Sequence, residues 1–352
     1  MNVLVLTGGG TAGHVTPSLA LLPELRKRFD KIVYVGSKKG IEKELAKKEG
    51  LTFYYVPTAK LERKFTLKNA IVPAKLLFAI RESKKLLKKI NPSVIFSKGG
   101  YVALPVTIAA KKLGIPVVSH ESDMTVGLAN KIGAKYSKLF LTSFDCTKVT
   151  CEKTVFTGSP IRESLFVNPD KKQILKKYGL SGRRKILLIF GGSSGSKSIN
   201  DVAQKSLYKL VNRYDVIHIC GKGKGENERE KGYIKMPYAD NIGELFCIAD
   251  LVVSRAGANS LFELTALKKP TLAIPLPKGN SRGDQIDNAE YYNKRKMVEI
   301  LLEENLNENT FLNAIAKLEN NALFLAENCK AYAQALPNEK IAELIKKTAL
   351  PN

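Results

Sequence analysis

The chain has 352 residues, of which 44% are hydrophobic and 8% aromatic, with no tryptophan. This composition excludes a disordered chain, and the length predicts two domains. Lys+Arg 57 against Asp+Glu 33 give a formal net charge of +24. The charge indicates an anionic partner, such as a phosphorylated substrate, an acidic membrane surface or a nucleic acid, although a lysine-rich proteome would give the same excess.

The first predicted element is a strand at residues 3–6, which runs into the glycine-rich stretch TGGGTAGHVTP at residues 7–17. An amphipathic helix pattern follows at residues 18–29. A strand, a glycine turn and a helix start together present free backbone N–H groups to an anion. His14 stands where the turn becomes a helix, which makes it the candidate base. Alone, such a motif is equally typical of a plain tight turn.

Short apolar strands then alternate with helical patterns, which predicts parallel, doubly wound sheets. The pattern restarts after residues 158–162 (GSPIR), with a strand at 185–190 and a second small-residue turn at 191–196. We predict two Rossmann-like α/β domains, residues 1–160 and 161–335, with a C-terminal helix at about 336–352 that packs back on the first. The remaining predicted strands are 31–36, 52–56, 93–97, 115–119, 139–142, 154–157, 216–220, 251–254 and 271–274.

The stretch SRAGANSLFE at residues 254–263 follows a strand and opens a helix. Small residues at a helix start leave N–H groups free for phosphate. Glu263 could accept hydrogen bonds from sugar hydroxyls, or it could be a solvated helix residue. The polar loop at residues 275–285 is placed to close over a ligand. Of the other histidines, His218 is predicted to be core, and His120 to lie at the edge of a cleft.

The basic segment at residues 64–90 and the five cysteines each allow a structural interpretation. Residues 64–90 form a basic amphipathic segment that suits either an anionic membrane or an ordinary surface helix, and Pro73 predicts a break in it. The cysteines show no metal-ligand spacing, so we expect free thiols in a reducing cytosol. No apolar stretch approaches the roughly 20 residues that span a bilayer, and we expect no targeting peptide.

Seven motifs in one order resemble the MurG family of bacterial peptidoglycan N-acetylglucosaminyltransferases, which belongs to glycosyltransferase family 28. The motifs are GGGTAGHVTP (8–17), KGGYV (98–102), HESDMTVGLANK (120–131), GSPIR (158–162), FGGSSGS (190–196), SRAGANSLFE (254–263) and GDQIDNA (283–289). The resemblance implies a GT-B fold, with two domains facing across a cleft and the nucleotide sugar mostly on the C-terminal one. It implies no required cofactor, leaves a divalent metal open, and favours no nucleic acid partner.

The implied reaction inverts the anomeric carbon. The C4 hydroxyl of the muramyl sugar of undecaprenyl-linked lipid I attacks C1 of UDP-N-acetylglucosamine (UDP-GlcNAc), and UDP leaves to give lipid II. A pyrophosphate leaving group needs positive backbone dipoles and not necessarily a metal. The resemblance also implies an enzyme on the cytoplasmic side of the cell membrane, held peripherally.

By the resemblance, the donor and acceptor sugars border Thr11, Ala12 and Gly13, and the diphosphate faces Arg162 and Ser193. Phosphate, ribose and uracil are held by Ala258, Asn259, Ser260, Leu261, Phe262 and Glu263, and the donor sugar by Gln285. His14, Asp123 and Asn130 match other functional positions. The family usually has Gly at position 12 and commonly Asn at position 123. A carboxylate at 123 either puts the sugar contact in doubt or makes Asp123 a possible base.

The resemblance shifts the interpretation of residues 64–90 toward an anionic membrane surface. The apolar members of this predicted membrane patch are Phe65, Leu67, Ile71, Val72, Leu76, Leu77 and Phe78, with Lys68, Lys75, Arg81, Lys84 and Lys85 beside them.

Three other functions remain open from the residues. A glycosyltransferase of the same fold could act on diacylglycerol instead. A dinucleotide-dependent oxidoreductase lacks the ribose-binding acid after its second strand, although Ser37-Lys38-Lys39 could suit a 2′-phosphate. A nucleic-acid binder would explain the charge, but no recognised binding motif is present.

Overall fold

The computed structural model describes residues 1–58, 71–166, 169–192, 195–279, 283–332 and 337–349. The chain divides into two compact units. Unit 1 is Met1–Ile161 together with Leu336–Asn352, and unit 2 is Arg162–Ala335. Each unit is built on a seven-stranded sheet with helices between most of its successive strands. The predicted α/β class with two Rossmann-like sheets is therefore confirmed.

The sheet of unit 1 is parallel throughout, in the order β3-β2-β1-β4-β5-β6-β7. Its strands are β1 (Val3–Thr7), β2 (Lys31–Gly36), β3 (Thr52–Tyr55), β4 (Val94–Ser97), β5 (Val117–Glu121), β6 (Leu139–Thr142) and β7 (Thr154–Phe156). Its helices before the unit boundary are α1 (Thr16–Ala20), α2 (Leu22–Arg26), α3 (Glu42–Lys48), α4 (Val72–Ile90), α5 (Gly100–Lys111) and α6 (Leu128–Ala134).

Unit 2 repeats this plan in the order β10-β11-β9-β8-β12-β13-β14, with only the β10–β11 pair antiparallel among its described strands. Its strands are β8 (Lys185–Phe190), β9 (Tyr214–Ile219), β10 (Glu228–Glu230), β11 (Tyr233–Met236), β12 (Leu251–Ser254), β13 (Thr271–Ala273) and β14 (Glu299–Ile300). Its helices are α7 (Lys171–Lys177), α8 (Lys197–Leu210), α9 (Ile242–Ile248), α10 (Ala258–Ala266), α11 (Asp284–Lys294) and α12 (Glu308–Tyr332).

The central strands are apolar because helices cover both of their faces. In β1, Leu4 and Leu6 enter one buried cluster, whereas Val5 points to the opposite face and enters another. The last helix, α13 (Pro337–Ala349), adds Ile341 and Ile345 to the cluster that contains Leu4. The chain's end is thus part of the core of unit 1.

The strand orders fix where ligand-binding loops converge. In unit 1 the order reverses between β1 and β4, and in unit 2 it reverses between β8 and β12. In doubly wound sheets, ligands bind outside the carboxyl ends of the strands at such a point. The turns after β1 and β4, and those after β8 and β12, are therefore the places to look for a site in each unit.

Among the residues that the structure describes, no helix is both long enough and apolar enough to cross a membrane. Pro73 lies in the first turn of α4, so the helix begins beside the predicted break, where the missing N–H of proline breaks no helical hydrogen bond. Residues 64–70, the front of the basic segment, lie outside the described residues.

Candidate functional site

The turn after β1 is braced on several sides by buried groups. Tyr34 donates its hydroxyl to the Gly8 carbonyl at 2.9 Å, and the backbone N–H of Gly10 points at the fully buried Glu42 carboxylate at 3.5 Å. Gly10 has φ +88, and a methyl group there would come within 2.7 Å of the Tyr101 ring. Only glycine fits this backbone, so the turn holds one shape.

His14 ends a short 3-10 turn, Ala12–His14. The backbone N–H of His14 donates to the Thr11 carbonyl at 3.1 Å. The His14 ring lies over Gly100, at the start of α5; a methyl group on Gly100 would be 3.3 Å from its Cδ2. Thr11 and Gly13 are exposed, and Ala12 and His14 are half-buried. The predicted sugar-bordering residues and the candidate base thus share one accessible edge of unit 1.

The segment after β5 is organised by the buried Glu121 carboxylate. It accepts hydrogen bonds from the backbone N–H groups of Ser122 at 2.9 Å, Asp123 at 3.1 Å and Gly127 at 3.0 Å. It also accepts one from the side-chain amide of Asn130 at 2.9 Å. Asn130 is therefore buried and holds the loop, whereas Asp123 is half-buried at its front.

Lys98, directly after β4, is a buried cation that the sequence analysis missed. It is only 1% exposed, and its Nζ lies 2.6 Å from His120 Nδ1 and 2.7 Å from Ser122 Oγ. His120 Nε2 lies 3.0 Å from the Gly158 carbonyl, which can only accept, so Nε2 carries the proton and Nδ1 accepts from the ammonium. The signal available in the sequence was a lysine at the switch point, in KGGYV.

The titration of this pair follows from burial and charge. Burial lowers the pKa of Lys98 to about 7, while the nearby carboxylates of Glu121 and Asp123 act in the opposite direction. Burial, together with the Lys98 charge, holds the pKa of His120 well below its usual value. His120 is therefore neutral, which confines it to a structural bond and leaves Lys98 as the cation of this edge.

In unit 2, α10 begins directly after the loop that follows β12, and no side-chain cap bonds its described N-terminus. Ala258, Leu261 and Phe262 are buried, so these three predicted donor contacts can be made only through the backbone or from the core side. Asn259 and Ser260 are half-buried at the helix start. This arrangement leaves a helix N-terminus at the switch point, which is suited to phosphate.

Arg162 and Glu263, which are 101 residues apart, form a bidentate ion pair. Arg162 Nε lies 2.8 Å from Glu263 Oε1, and Arg162 Nη2 lies 2.8 Å from Oε2. Two predicted donor ligands are thus brought together beside the start of α10. In this ion pair the guanidinium charge of Arg162 neutralises the carboxylate charge of Glu263.

Arg255 is a second residue that the sequence analysis missed. Its guanidinium donates to the carbonyls of Ile274 at 3.2 Å and Pro275 at 3.3 Å and to Ser198 Oγ at 2.9 Å, and it forms an ion pair with Glu303. It therefore joins the loop after β13 to the start of α8. An arginine directly after a buried strand at the switch point was the available signal.

Gln285 Oε1 accepts from the backbone N–H of Leu276 at 3.0 Å, and so ties α11 to the loop after β13. Ser193 lies outside the described residues, as do Phe65, Leu67 and Lys68 of the predicted membrane patch. Within the described ranges, no group of three or more His, Cys, Asp or Glu side chains could hold a metal ion.

The described part of the predicted membrane patch lies on α4 and the residue before it. Leu77 and Phe78 are 67% and 57% exposed, and Ile71 is exposed as well. Val72 and Leu76 are half-buried, while Lys75 and Arg81 are exposed. Ala79 and Ile80 face the core, so α4 presents apolar and basic side chains together on its outer side.

Comparisons with known proteins cover nearly the whole chain. The family described as the glycosyltransferase family 28 N-terminal domain matches residues 4–142, and its C-terminal domain matches residues 186–346. A relative from Clostridium botulinum (strain Langeland) is 43% identical over 352 residues, which is 99% of each chain. One from Clostridium tetani is 42% identical over 349 residues, covering 98% of this chain and 97% of the relative. Both are named UDP-N-acetylglucosamine--N-acetylmuramyl-(pentapeptide) pyrophosphoryl-undecaprenol N-acetylglucosamine transferase.

Solved structures agree at the level of fold. The crystal structure of Acinetobacter baumannii MurG has a TM-score of 0.77 at 23% identity, covering 99% of this chain and 100% of that one. A UDP-GlcNAc 2-epimerase from Neisseria meningitidis reaches 0.67 at 14% identity, covering 100% of each chain. An epimerase shares this architecture, so the fold alone does not define the reaction. The two family matches and the relative that is 43% identical identify the family: the chain belongs to glycosyltransferase family 28.

Proposed function

We propose that this protein transfers N-acetylglucosamine from UDP-GlcNAc to the C4 hydroxyl of the muramyl sugar of undecaprenyl-linked lipid I. The observation that carries the proposal is the 43% identity, over 99% of both chains, to a relative named for this transfer. The ends of the central strands supply the matching chemistry: a helix N-terminus with a carboxylate in unit 2, and a glycine turn with a histidine in unit 1.

The donor is bound by unit 2. The backbone N–H groups at the start of α10 receive the diphosphate, and the helix dipole stabilises the charge that develops on the leaving UDP. Glu263 accepts from the ribose hydroxyls. Glu263 is paired with Arg162, and the donor offers each of them another partner: hydroxyl donors for Glu263, and phosphate oxygens for Arg162.

The acceptor side is assigned to unit 1. His14 takes the proton of the C4 hydroxyl as the C4 oxygen bonds to C1 of the donor sugar. The bond between C1 and the β-phosphate oxygen breaks at the same time, and its electron pair leaves with UDP. One displacement inverts the anomeric carbon. Gly100, at the start of α5, leaves room for the His14 ring that does this work.

The patch on α4 binds the anionic membrane in which the acceptor resides. Exposed Leu77 and Phe78 enter the interface between headgroups and acyl chains, while Lys75 and Arg81 pair with acidic lipid headgroups. The protein is therefore peripheral on the cytoplasmic face. This location brings the active site to a lipid that cannot leave the bilayer.

The donor assignment is tested by offering a panel of labelled UDP-sugars together with a soluble muramyl-pyrophosphoryl lipid analogue. We expect transfer from UDP-GlcNAc with release of UDP, and a β-linked product by NMR. Comparable transfer from UDP-glucose, or an α-linked product, would contradict the proposal.

A further inference from the structure

The cluster around Lys98 contains charges that the proposed reaction does not use. Lys98 sits at the carboxyl end of β4, and Gly8 of the turn after β1 lies against it: a methyl group built on Gly8 would be 3.1 Å from Lys98 Cβ. Its ammonium bonds to Ser122 Oγ and to the ring of neutral His120. A lysine buried this deeply is retained only where its charge is compensated.

The compensating charges come from the segment after β5. The carboxylates of Glu121 and Asp123 both attract the Lys98 ammonium. Glu121 is buried and makes four hydrogen bonds within its own loop, whereas Asp123 is half-buried at the front of that loop. If Lys98 lost its proton, two neighbouring carboxylates would face each other without a cation.

We propose that Lys98 is a positioning residue for the transfer, which rests on the function proposed above. Its ammonium holds the segment that carries Asp123, and thereby allows a carboxylate to stand where the resembling family commonly has an asparagine. In that position the Asp123 carboxylate accepts a charge-assisted hydrogen bond from a substrate sugar hydroxyl. Transfer therefore requires protonated Lys98.

This requirement has a signature in the pH dependence of kcat/KM. The titratable groups that act on Lys98 are His120, Glu121 and Asp123, all from the β5 side. His120 stays neutral, because burial and the Lys98 charge hold its pKa well below its usual value. Because the pKa of Lys98 is about 7, we expect an alkaline limb that begins near neutrality.

The test compares wild type, Lys98→Met, Asp123→Asn and the double variant, with Lys112→Met as a control because Lys112 is an exposed lysine beside α5 in the same unit. We expect Lys98→Met to lower kcat/KM for transfer at least tenfold at pH 6.5 and to remove the alkaline limb. Its affinity for UDP should stay within twofold of wild type, since the proposed nucleotide contacts are in unit 2. Lys112→Met should match wild type throughout.

The double variant separates this role from a merely structural one. Asp123→Asn removes one of the two carboxylates, so in that background Lys98→Met should lower kcat/KM no more than threefold. Independent effects that multiply, or an unchanged alkaline limb in Lys98→Met, would overturn the proposal. If Lys98→Met does not fold, wild type against Asp123→Asn still decides, because the alkaline limb must be lost in Asp123→Asn. Absence of transfer by wild type would instead refute the proposed function.

Discussion

The pairing of Arg162 with Glu263 shapes what a single substitution does to donor binding. Glu263→Ala removes the acceptor for the ribose hydroxyls and leaves Arg162 without its bidentate partner. We expect the binding free energy of UDP-GlcNAc to weaken by about 1–3 kcal/mol, because a buried polar group left without a hydrogen-bond partner costs about this much. Isothermal titration measures this, with Glu290→Ala on the exposed side of α11 as the control. Unchanged donor affinity in Glu263→Ala would remove the ribose role.

His14 makes a different prediction because it is assigned to the transition state alone. In His14→Ala we expect kcat to fall by about 100-fold or more, the usual contribution of a general base, while the affinity for UDP changes little. Single-turnover transfer and UDP titration on the same preparation give both quantities. Near-normal turnover would show that another group takes the proton.

Motif order brought most of the donor and acceptor residues to attention, but the contacts between them were not readable from sequence. Arg162 and Glu263 were both predicted as ligands, yet their mutual ion pair joins residues 101 positions apart. Lys98 and Arg255 were missed because a charged residue in a loop is usually solvated. Only the folded chain shows that Lys98 is buried at the end of its strand and that Arg255 is half-buried among hydrogen-bond partners.

Among the elements, α4 carries the exposed apolar pair Leu77 and Phe78 beside the exposed basic residues Lys75 and Arg81. Replacing Leu77 and Phe78 together by serine removes its exposed apolar side chains while leaving Lys75 and Arg81 in place. We expect at least tenfold weaker binding to vesicles that contain anionic lipid, and for the wild type, binding that weakens as salt increases.

A matched control for this experiment exists in unit 2. Leu323 and Phe324 on α12 form another exposed apolar pair, 86% and 53% exposed. Serine at both of these positions should leave vesicle binding unchanged. Equal loss in the two double variants, or equal binding of wild type to neutral and anionic vesicles at all salt concentrations, would contradict the α4 assignment.

Elements with a strong apolar pattern were predictable, and polar edge elements were not. The sequences of β1 and β8, VLVLT and KILLIF, are typical of strands buried on both faces. By contrast β10, with the sequence ERE, is exposed throughout, and it pairs with β11 through the backbone and one ion pair between Glu228 and Lys235. Such a strand has no side-chain pattern to predict it.

At the scale of the whole molecule, buried neutral histidines couple stability to pH. His218 donates from Nε2 to Asn200 Oδ1 at 3.0 Å and accepts from the Tyr233 hydroxyl at 3.1 Å. Burial, with the Lys235 charge, lowers the pKa of His218 to about 4. The unfolded chain therefore binds protons below about pH 6.5 that the folded chain does not, so stability falls as pH drops from about 6.5 to 4.

Urea unfolding at pH 7 and pH 5 measures this linkage. We expect His218→Gln to reduce the difference in free energy of unfolding between the two pH values by about 2 kcal/mol, because glutamine gains no proton. His120 contributes in the same direction and remains in the variant. An identical pH dependence in wild type and His218→Gln would show that His218 is not the group responsible.

The architecture as a whole followed from strand–helix alternation and its restart near residue 185. Each unit then places its glycine-rich or small-residue turns where its strand order reverses. Hydrophobic periodicity predicts the sheets, but the strand order within each sheet depends on long-range packing that no local pattern specifies. The fold alone does not specify the reaction, since an epimerase shares it. The prediction of the reaction came instead from the seven motifs and their order.

The identity of the acceptor decides between the proposed transfer and a glycolipid-forming one, and a single assay with two acceptors measures it. Labelled N-acetylglucosamine on UDP is offered to a lipid I analogue and to diacylglycerol in parallel, and the products are separated and counted. We expect label on the lipid I analogue alone. Label on diacylglycerol, with none on the lipid I analogue while UDP still binds, would contradict it.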